Sequence, residues 1–383
     1  MNKPETIDQF LKAWAEYGKQ NPEFSFRKKE ANDLIYHNLI LLGVSPKDRK
    51  LDISPLFSKW QDFFHNYNNL DVISDPSKNY FCQFVSKDQT AKNSKEKIKV
   101  FVPLDGEHIE RGTKELFAFL ANRNIPHQSK VSRKIRFDDI VVGLSSEKDA
   151  KALLEFIKKN PYLQEGLIAP NPFAFQQNGV ALACDGDYSY NGTLTALLQM
   201  YLNNKKSHNE LDKVNYENFF DFLADCYTDE FIIGDDKPFE RALGYGKDDK
   251  AKRNFQFVFS LIAKTQNPSY DLDDFMAHFR RSLADKQEGK GSEELLIECV
   301  DAMSKYYQNS RKGIVNVESY VVDNVPRRLT NKNNLRERVV RSNMREDVLS
   351  AMRRDNTTFK DYLKKVMDKY GYDPTQYDNG THK

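Results

Sequence analysis

The residues best suited to chemistry are cations in the middle of the chain, in the segment "IPHQSKVSRKIRFDDIVVGL" (125–144). They are Lys130, Arg133, Lys134 and Arg136. In the preceding segment "KIKVFVPL", alternation places Lys97 and Lys99 on one face of a predicted strand. If a neighbouring strand brings Lys130 to that face, several cations converge, and phosphate is their natural ligand. A lysine crowded by other cations has a lowered pKa, which suits a base near neutral pH.

A structural interpretation of the same charges stays open, because charge runs are commonly solvated surfaces. His108 and His127 are close in sequence and could act as general acid, or be surface or hydrogen-bonded core histidines. Convergence of Lys97, Lys99, Lys130 and Arg136 into one pocket would favour an enzyme. Cations spread over a convex surface would favour a binding protein.

Other ligand-binding motifs are weak. "CDGDYSYNG" carries Asp185 and Asp187 in an Asp-x-Asp spacing. A hard cation needs six or more oxygen ligands, and Asp-Gly-Asp is also ordinary in turns. The sequence has no P-loop, dinucleotide-binding glycine motif, nucleophile elbow or HExxH zinc motif. We therefore expect no metal and no cofactor.

A second basic feature lies near the C-terminus, in "NNLRERVVRSNMREDVLSAMRR". Helical spacing places Arg338, Arg341 and Arg345 on one face of a predicted helix. Such a stripe could bind a nucleic-acid backbone or an acidic protein. Interleaved acidic residues favour intrahelical ion pairs on a solvated face instead.

The elements around the cations predict an α+β unit. Strand patterns at "KIKVFVPL", "HQSKV" and "RFDDIVVGL" alternate with helical patterns, the second of which begins after Ser146 as a candidate N-cap. This order predicts a mostly antiparallel sheet with helices on one face in the middle third of the chain. We divide the chain into a helical N-terminal region (1–75), the α+β core (76–205) and a helical C-terminal region (206–383).

Bulk properties restrict the class of protein. A chain of 383 residues can form two or three domains, and a net charge of +2 produces no global attraction to nucleic acid or membrane. The four cysteines are far apart and are expected to be reduced core residues. The sequence has no signal peptide and no stretch of about 18 apolar residues, so we expect a cytoplasmic protein with no membrane partner. Secretion directed by an unstructured N-terminus would leave no such mark.

Three segments carry a family resemblance over roughly residues 97–200: "KIKVFVPLDGEHIERGTKELFAFLANRNIPHQSKV", "RFDDIVVGL" and "PNPFAFQQNGVALACDGDYSYNG". In the order of their features they resemble the core of a type III effector family of plant pathogens, whose fold is similar to phosphothreonine lyases. Lyase components of some lanthipeptide synthetases use the same core. The resemblance implies that Lys130 abstracts an α-proton in a β-elimination, that Arg136 binds phosphate, and that no metal is required.

The sequence departs from the family pattern at two places. The lyases carry a histidine general acid in the strand that corresponds to "KIKVFVP", where this chain has Lys97 and Lys99. The family also tends to have an arginine after a serine–aromatic segment, and "SYNGTLTALL" has none. Both departures favour a family member without lyase activity.

Three hypotheses follow. The first is a carbon–oxygen lyase that acts on phosphoserine or phosphothreonine in a peptide or protein. In this hypothesis Lys130 is the base, and Arg136 holds phosphate together with Arg133 or Lys134. The second is a non-catalytic binding protein that uses the same cations, or the C-terminal arginines, to hold a protein partner. The third is nucleic-acid binding through the C-terminal helix, which predicts affinity that falls steeply with salt.

Overall fold

The computed structural model describes residues 3–74, 80–94, 97–185, 188–227, 249–265 and 269–288. The chain forms two compact units, of which the first contains residues 1–215 and 272–279 and the second contains 216–271 and 280–383. The division expected from the sequence, with boundaries after residues 75 and 205, stays a prediction. Arg338, Arg341 and Arg345 lie outside the described residues.

A seven-stranded antiparallel sheet forms the centre of the first unit, which confirms the predicted α+β class. The strands are β1 (Leu70–Ile73), β2 (Phe81–Ser86), β3 (Lys97–Val102), β4 (Gln128–Ser132), β5 (Ile140–Leu144), β6 (Phe175–Gln177) and β7 (Val180–Asp185). Their spatial order is β1-β2-β4-β5-β3-β7-β6. The three strands predicted around the cationic segment are therefore adjacent at the centre of the sheet.

Helices precede, connect and follow the strands. In the first unit they are α1 (Lys3–Gln20), α2 (Lys29–Leu39), α3 (Leu56–Phe64), α4 (Thr90–Asn93), α5 (Ile109–Asn122), α6 (Glu147–Lys159), α7 (Pro161–Gly166) and α8 (Tyr190–Ser207), with short 3₁₀ turns at Asp48–Lys50 and Leu211–Lys213. The predicted N-cap of α6 is confirmed, since Ser146 Oγ accepts a hydrogen bond from the Asp149 amide.

One face of the sheet is apolar and covered by helices. On β3, Ile98, Val100 and Val102 lie on this face and are fully buried. Phe84 of β2 lies on the same face and stacks on Phe117 of α5, with ring centroids 3.9 Å apart. Burial of these side chains is the main favourable contribution to the stability of the unit. The opposite face of β3 carries Lys97 and Lys99 together with Phe101, which is also buried.

The described part of the second unit is helical, with α9 (Tyr216–Tyr227) and α10 (Asp249–Lys264). Phe220 of α9 and Phe259 of α10 are buried and stack with ring centroids 6.0 Å apart. Helix α11 (Leu272–Glu288) has residues in both units. Among the described residues, no helix combines the length and apolarity that crossing a membrane requires.

Candidate anion-binding site

Strand register places the predicted lysines on one face of the sheet. Lys99 of β3 lies opposite Gly143 of β5, which in turn lies opposite Gln128 of β4. Directly paired residues on neighbouring antiparallel strands share a face, so Lys97, Lys99 and Lys130 project to the same side, away from the apolar face. A Cβ built at Gly143 would lie 3.3 Å from Lys99 Nζ. The absence of a side chain at Gly143 therefore lets the lysine amine lie across β5 toward β4.

Lys130 is the most unusual cation of this face. Its side chain is half-buried, and its Nζ lies 4.4 Å from the centroid of the Phe81 ring. Within the described part of the chain, Lys130 Nζ has no hydrogen bond and no ion pair. Burial, followed by the positive charges of Lys99 and Arg136, lowers the pKa of Lys130 from its usual 10.5, although Asp138 and Asp185 oppose the shift. Such an amine is a candidate base.

The two lysines of β3 have polar partners. Lys97 Nζ donates to Gln128 Oε1, and burial together with the charge of Lys99 lowers the Lys97 pKa. Lys99 Nζ lies 3.4 Å from Asp185 Oδ2, and the side chains of this pair are 13% and 26% exposed. Lys99 is thus held by a carboxylate at the edge of the cluster, on β7.

Arg136 completes the group, which we call the cation cluster: Lys97, Lys99, Lys130 and Arg136. The β4–β5 connection brings its guanidinium carbon to 5.3 Å from the centroid of the Phe81 ring, which Lys130 also contacts. Arg136 Nε lies 2.8 Å from Asp138 Oδ1, and both side chains are buried. Burial alone would lower the Arg136 pKa, but Asp138, Tyr36 and other nearby acidic groups raise it, so the residue is a fixed cation.

The other two cations of the segment are not brought to the cluster. Arg133 is about one-third exposed and forms an ion pair with Asp52, in the connection before α3. Lys134 is half-buried, and its backbone amide donates to Ser132 Oγ. Neither residue is among the groups that act most strongly on Lys130. Of the four cations predicted in this segment, the structure therefore brings Lys130 and Arg136 together.

Both predicted histidines lie away from the cluster. His108 precedes α5, contacts Asp105 Oδ1 through Nδ1 at 2.8 Å and packs against Tyr162. His127 is buried against Phe117 of α5, on the apolar face, and its Nδ1 contacts Ser129 Oγ at 2.8 Å. Burial lowers the pKa of His127 to about 4. Neither imidazole makes any of its contacts with Lys130, and the histidine general acid stays a prediction.

Sequence reasoning missed the acidic and polar residues that hold the cluster. Asp138 pairs with Arg136 and also accepts a hydrogen bond from Asn191 Nδ2 at 2.9 Å. Tyr36 of α2 is half-buried close to Arg136 and Asp138. Burial, followed by the charge of Asp138, raises the pKa of Tyr36, and the charge of Arg136 opposes this shift. Asp138 could have been suspected as the partner of Arg136, because it follows Arg136 closely in "RFDD". Tyr36 and Asn191 lie in distant parts of the sequence, so no local pattern indicates them.

The second aspartate of "RFDD" is a core residue. Asp139 is fully buried, and its carboxyl oxygens accept from the amides of Ile140 and Leu104. Burial raises the pKa of Asp139 well above its usual value, despite these two amides. The two hydrogen bonds of Asp139 link Leu104, which follows β3, to Ile140 at the start of β5.

The Asp-x-Asp segment has a structural use at its first aspartate. Asp185 Oδ1 accepts from the Tyr190 amide at 3.0 Å, and Oδ2 faces Lys99. Asp187 lies outside the described residues. No group of three or more metal-ligating side chains occurs in the ranges that the structure describes.

Two solved structures show a weak similarity to this chain. No family model matches the chain, and no curated protein matches it. Two solved structures of Pseudomonas syringae effector proteins are similar to it. The protein from pathovar syringae strain 61 is 13% identical with a TM-score of 0.36, covering 58% of this chain and 93% of that one. The protein from pathovar tomato strain DC3000 is 10% identical with a TM-score of 0.38, covering 57% and 94%. Similarity at this level assigns neither fold nor activity.

Proposed function

We propose that the cation cluster binds the phosphate of a phosphoserine or phosphothreonine residue in a peptide or protein, and that Lys130 removes the α-proton in a β-elimination. The observation that supports this proposal is the environment of the Lys130 amine. It is a half-buried amine without a hydrogen-bond or ion-pair partner among the described residues, and burial and neighbouring cations lower its pKa. An unpartnered cation beside other cations is unfavourable unless an anion binds there or the amine is neutral.

The elimination balances without water or metal. The neutral amine of Lys130 takes the proton from Cα, the electrons of that bond form the Cα–Cβ double bond, and the Cβ–O bond breaks. The phosphate leaves with the electron pair of that bond. Arg136, Lys97 and Lys99 stabilise the charge that grows on the leaving oxygen. Since neither predicted histidine faces the cluster, the ammonium of Lys99 is the candidate to protonate the departing phosphate.

A second function, phosphate-dependent binding without chemistry, is favoured by a specific observation. Arg136 and Lys99 each have a carboxylate partner, Asp138 and Asp185 respectively, so two of the four cations are partly neutralised. A site with this charge balance can hold a phosphorylated partner without accelerating elimination. Nucleic-acid binding through the C-terminal arginines concerns residues outside the described part of the chain and stays a hypothesis.

The test incubates purified protein with phosphothreonine and phosphoserine peptides and follows each peptide by mass spectrometry. We expect loss of the elements of phosphoric acid with the native protein and with Lys134→Met, a matched lysine variant from the same segment. Lys130→Met should abolish the loss. Binding of phosphorylated but not unphosphorylated peptide, without any loss, would replace the lyase with the binding protein. No preference for phosphorylated peptide would refute both.

A further inference from the structure

A chain of buried polar side chains leads from the loop before β6 to Arg136. Asn171 Nδ2 donates to Asn191 Oδ1 at 3.0 Å, and Asn191 Nδ2 donates to Asp138 Oδ2 at 2.9 Å. Asp138 Oδ1 lies 2.8 Å from Arg136 Nε. All four residues are buried, with Asn171 fully enclosed and the others at most 5% exposed. We call Asn171, Asn191 and Asp138 the amide relay.

The amide relay fixes a carboxylate that the ion pair alone would not orient. The contact between Arg136 Nε and Asp138 Oδ1 is close but lacks hydrogen-bond geometry. In the described part of the chain, the amide of Asn191 makes the one hydrogen bond to the Asp138 side chain. Because hydrogen bonds are directional, Asn191 determines which way the carboxylate faces.

The relay is itself anchored at its far end. Asn171 Oδ1 accepts from the Phe173 amide at 2.9 Å, and the Asn171 carbonyl accepts from Gln176 Nε2 at 3.0 Å. The orientation of Asn171 is therefore set by the backbone before β6. A rigid supporting shell of this kind is what a binding residue requires to keep its position.

We infer that Asn191 is a positioning residue for phosphate binding. Through Asp138 it keeps the Arg136 guanidinium over the Phe81 ring, which Lys130 also contacts, with Nε next to Asp138 Oδ1. The inference rests on the proposed function, since it assigns Arg136 to the phosphate. Asn191 lies in the first turn of α8, and in this inference it supports phosphate binding without contacting the substrate.

The experiment compares Asn191→Asp with Asn69→Asp in the full-length protein. Both changes replace an amide that donates hydrogen bonds to oxygen atoms with a carboxylate that cannot donate. Asn191 Nδ2 donates to Asp138, and Asn69 Nδ2 donates to the Ala121 carbonyl and to Asn124 Oδ1. Asn69 has no contact with the amide relay. Affinity for a phosphothreonine peptide is measured by titration calorimetry, and thermal unfolding shows whether each variant is folded.

We expect Asn191→Asp to weaken peptide binding about tenfold, which corresponds to about 1.4 kcal/mol, and Asn69→Asp to leave it unchanged. Arg136→Lys should weaken binding by a similar factor, and the double variant should bind no more weakly than Arg136→Lys alone. This non-additivity is the signature of action through Arg136. Additive losses would overturn the inference, because they would show that Asn191 acts through stability or its own charge.

A second measurement distinguishes failure of the relay from failure of the proposed function. If the native protein binds no phosphopeptide, the proposed function is refuted, and the relay is judged by the NMR signal of the Arg136 Nε–H group. That signal is assigned by its loss in Arg136→Lys. The relay predicts that it shifts and exchanges faster with solvent in Asn191→Asp but not in Asn69→Asp. An unchanged signal in both variants would overturn the relay.

Discussion

Two arginines of one short segment are paired with aspartates in opposite surroundings. Arg136 and Asp138 form a pair whose side chains are 3% and 5% exposed. Arg133 and Asp52 form a pair whose side chains are 34% and 37% exposed. Removing the carboxylate from the buried pair leaves a guanidinium in the interior without its ion-pair partner, whereas water can solvate the exposed arginine. The two losses of stability should therefore differ severalfold.

For Asp138→Ala we expect the free energy of unfolding to fall by about 3–5 kcal/mol, as is typical when one member of a buried pair is removed. For Asp52→Ala the expected loss is about 0.2–1 kcal/mol. Replacing both members of the buried pair, with Arg136→Met and Asp138→Leu, should recover much of the loss because no charge then stays buried.

The assay is urea denaturation followed by tryptophan fluorescence. The chain has two tryptophans, Trp14 and Trp60, and both are buried in the first unit, so the signal reports on the unit that holds the pairs. Equal losses for Asp138→Ala and Asp52→Ala would refute this account of the buried pair. A loss below about 1 kcal/mol for Asp138→Ala would refute it as well.

Three further predictions concern charge. Because burial lowers the pKa of His127 from 6.5 to about 4, the unfolded chain binds a proton between these values that the folded chain does not. The corresponding contribution to the free energy of unfolding, about 3 kcal/mol, is present above pH 6.5 and is lost as the pH falls toward 4. In urea unfolding measured across this pH range, wild type should lose this stability and His127→Phe should not. Asp139 has the opposite sign: its raised pKa contributes stability that is lost as the pH rises through its folded value, and Asp139→Asn should remove that dependence. Asp185→Asn keeps an acceptor for the first amide of α8 but removes the charge facing Lys99, so affinity for inorganic phosphate should rise severalfold by calorimetry, and unchanged or weaker binding would contradict this.

Local patterns predicted the centre of the fold well. The alternation in "KIKVFVPL" corresponds to β3, and its apolar positions, such as Val100, lie on the covered face. The N-cap at Ser146 was predicted from residue type alone and is present. These features depend on neighbours within a few residues, which is why a single sequence reveals them.

Strand pairing was less accessible to prediction. The N-terminal region was expected to be helical up to residue 75, but β1 lies within it at Leu70–Ile73 and extends the sheet. The strand is short, has one buried end and pairs with β2, so its conformation depends on a tertiary partner.

The candidate site was likewise predictable from the sequence only in part. Placing Lys97, Lys99 and Lys130 on one face required only alternation and a neighbouring strand, and the register provides both. The separation of Arg136 from Arg133 could not be predicted, because it depends on which aspartate each one meets in the folded chain. Asn191 lies 53 residues from Asp138, and no local pattern links the two.

The proposed elimination requires Lys130 to have a lowered pKa, so that its amine can act as a base. The most direct test is an NMR titration of the protein labelled with nitrogen-15 at the lysine side chains, with the Lys130 signal assigned by its loss in Lys130→Met. We expect a Lys130 pKa below the usual 10.5 that rises in Lys99→Met, because a neighbouring positive charge has been removed. A Lys130 pKa at or above 10.5 in the native protein, or no change in Lys99→Met, would contradict it.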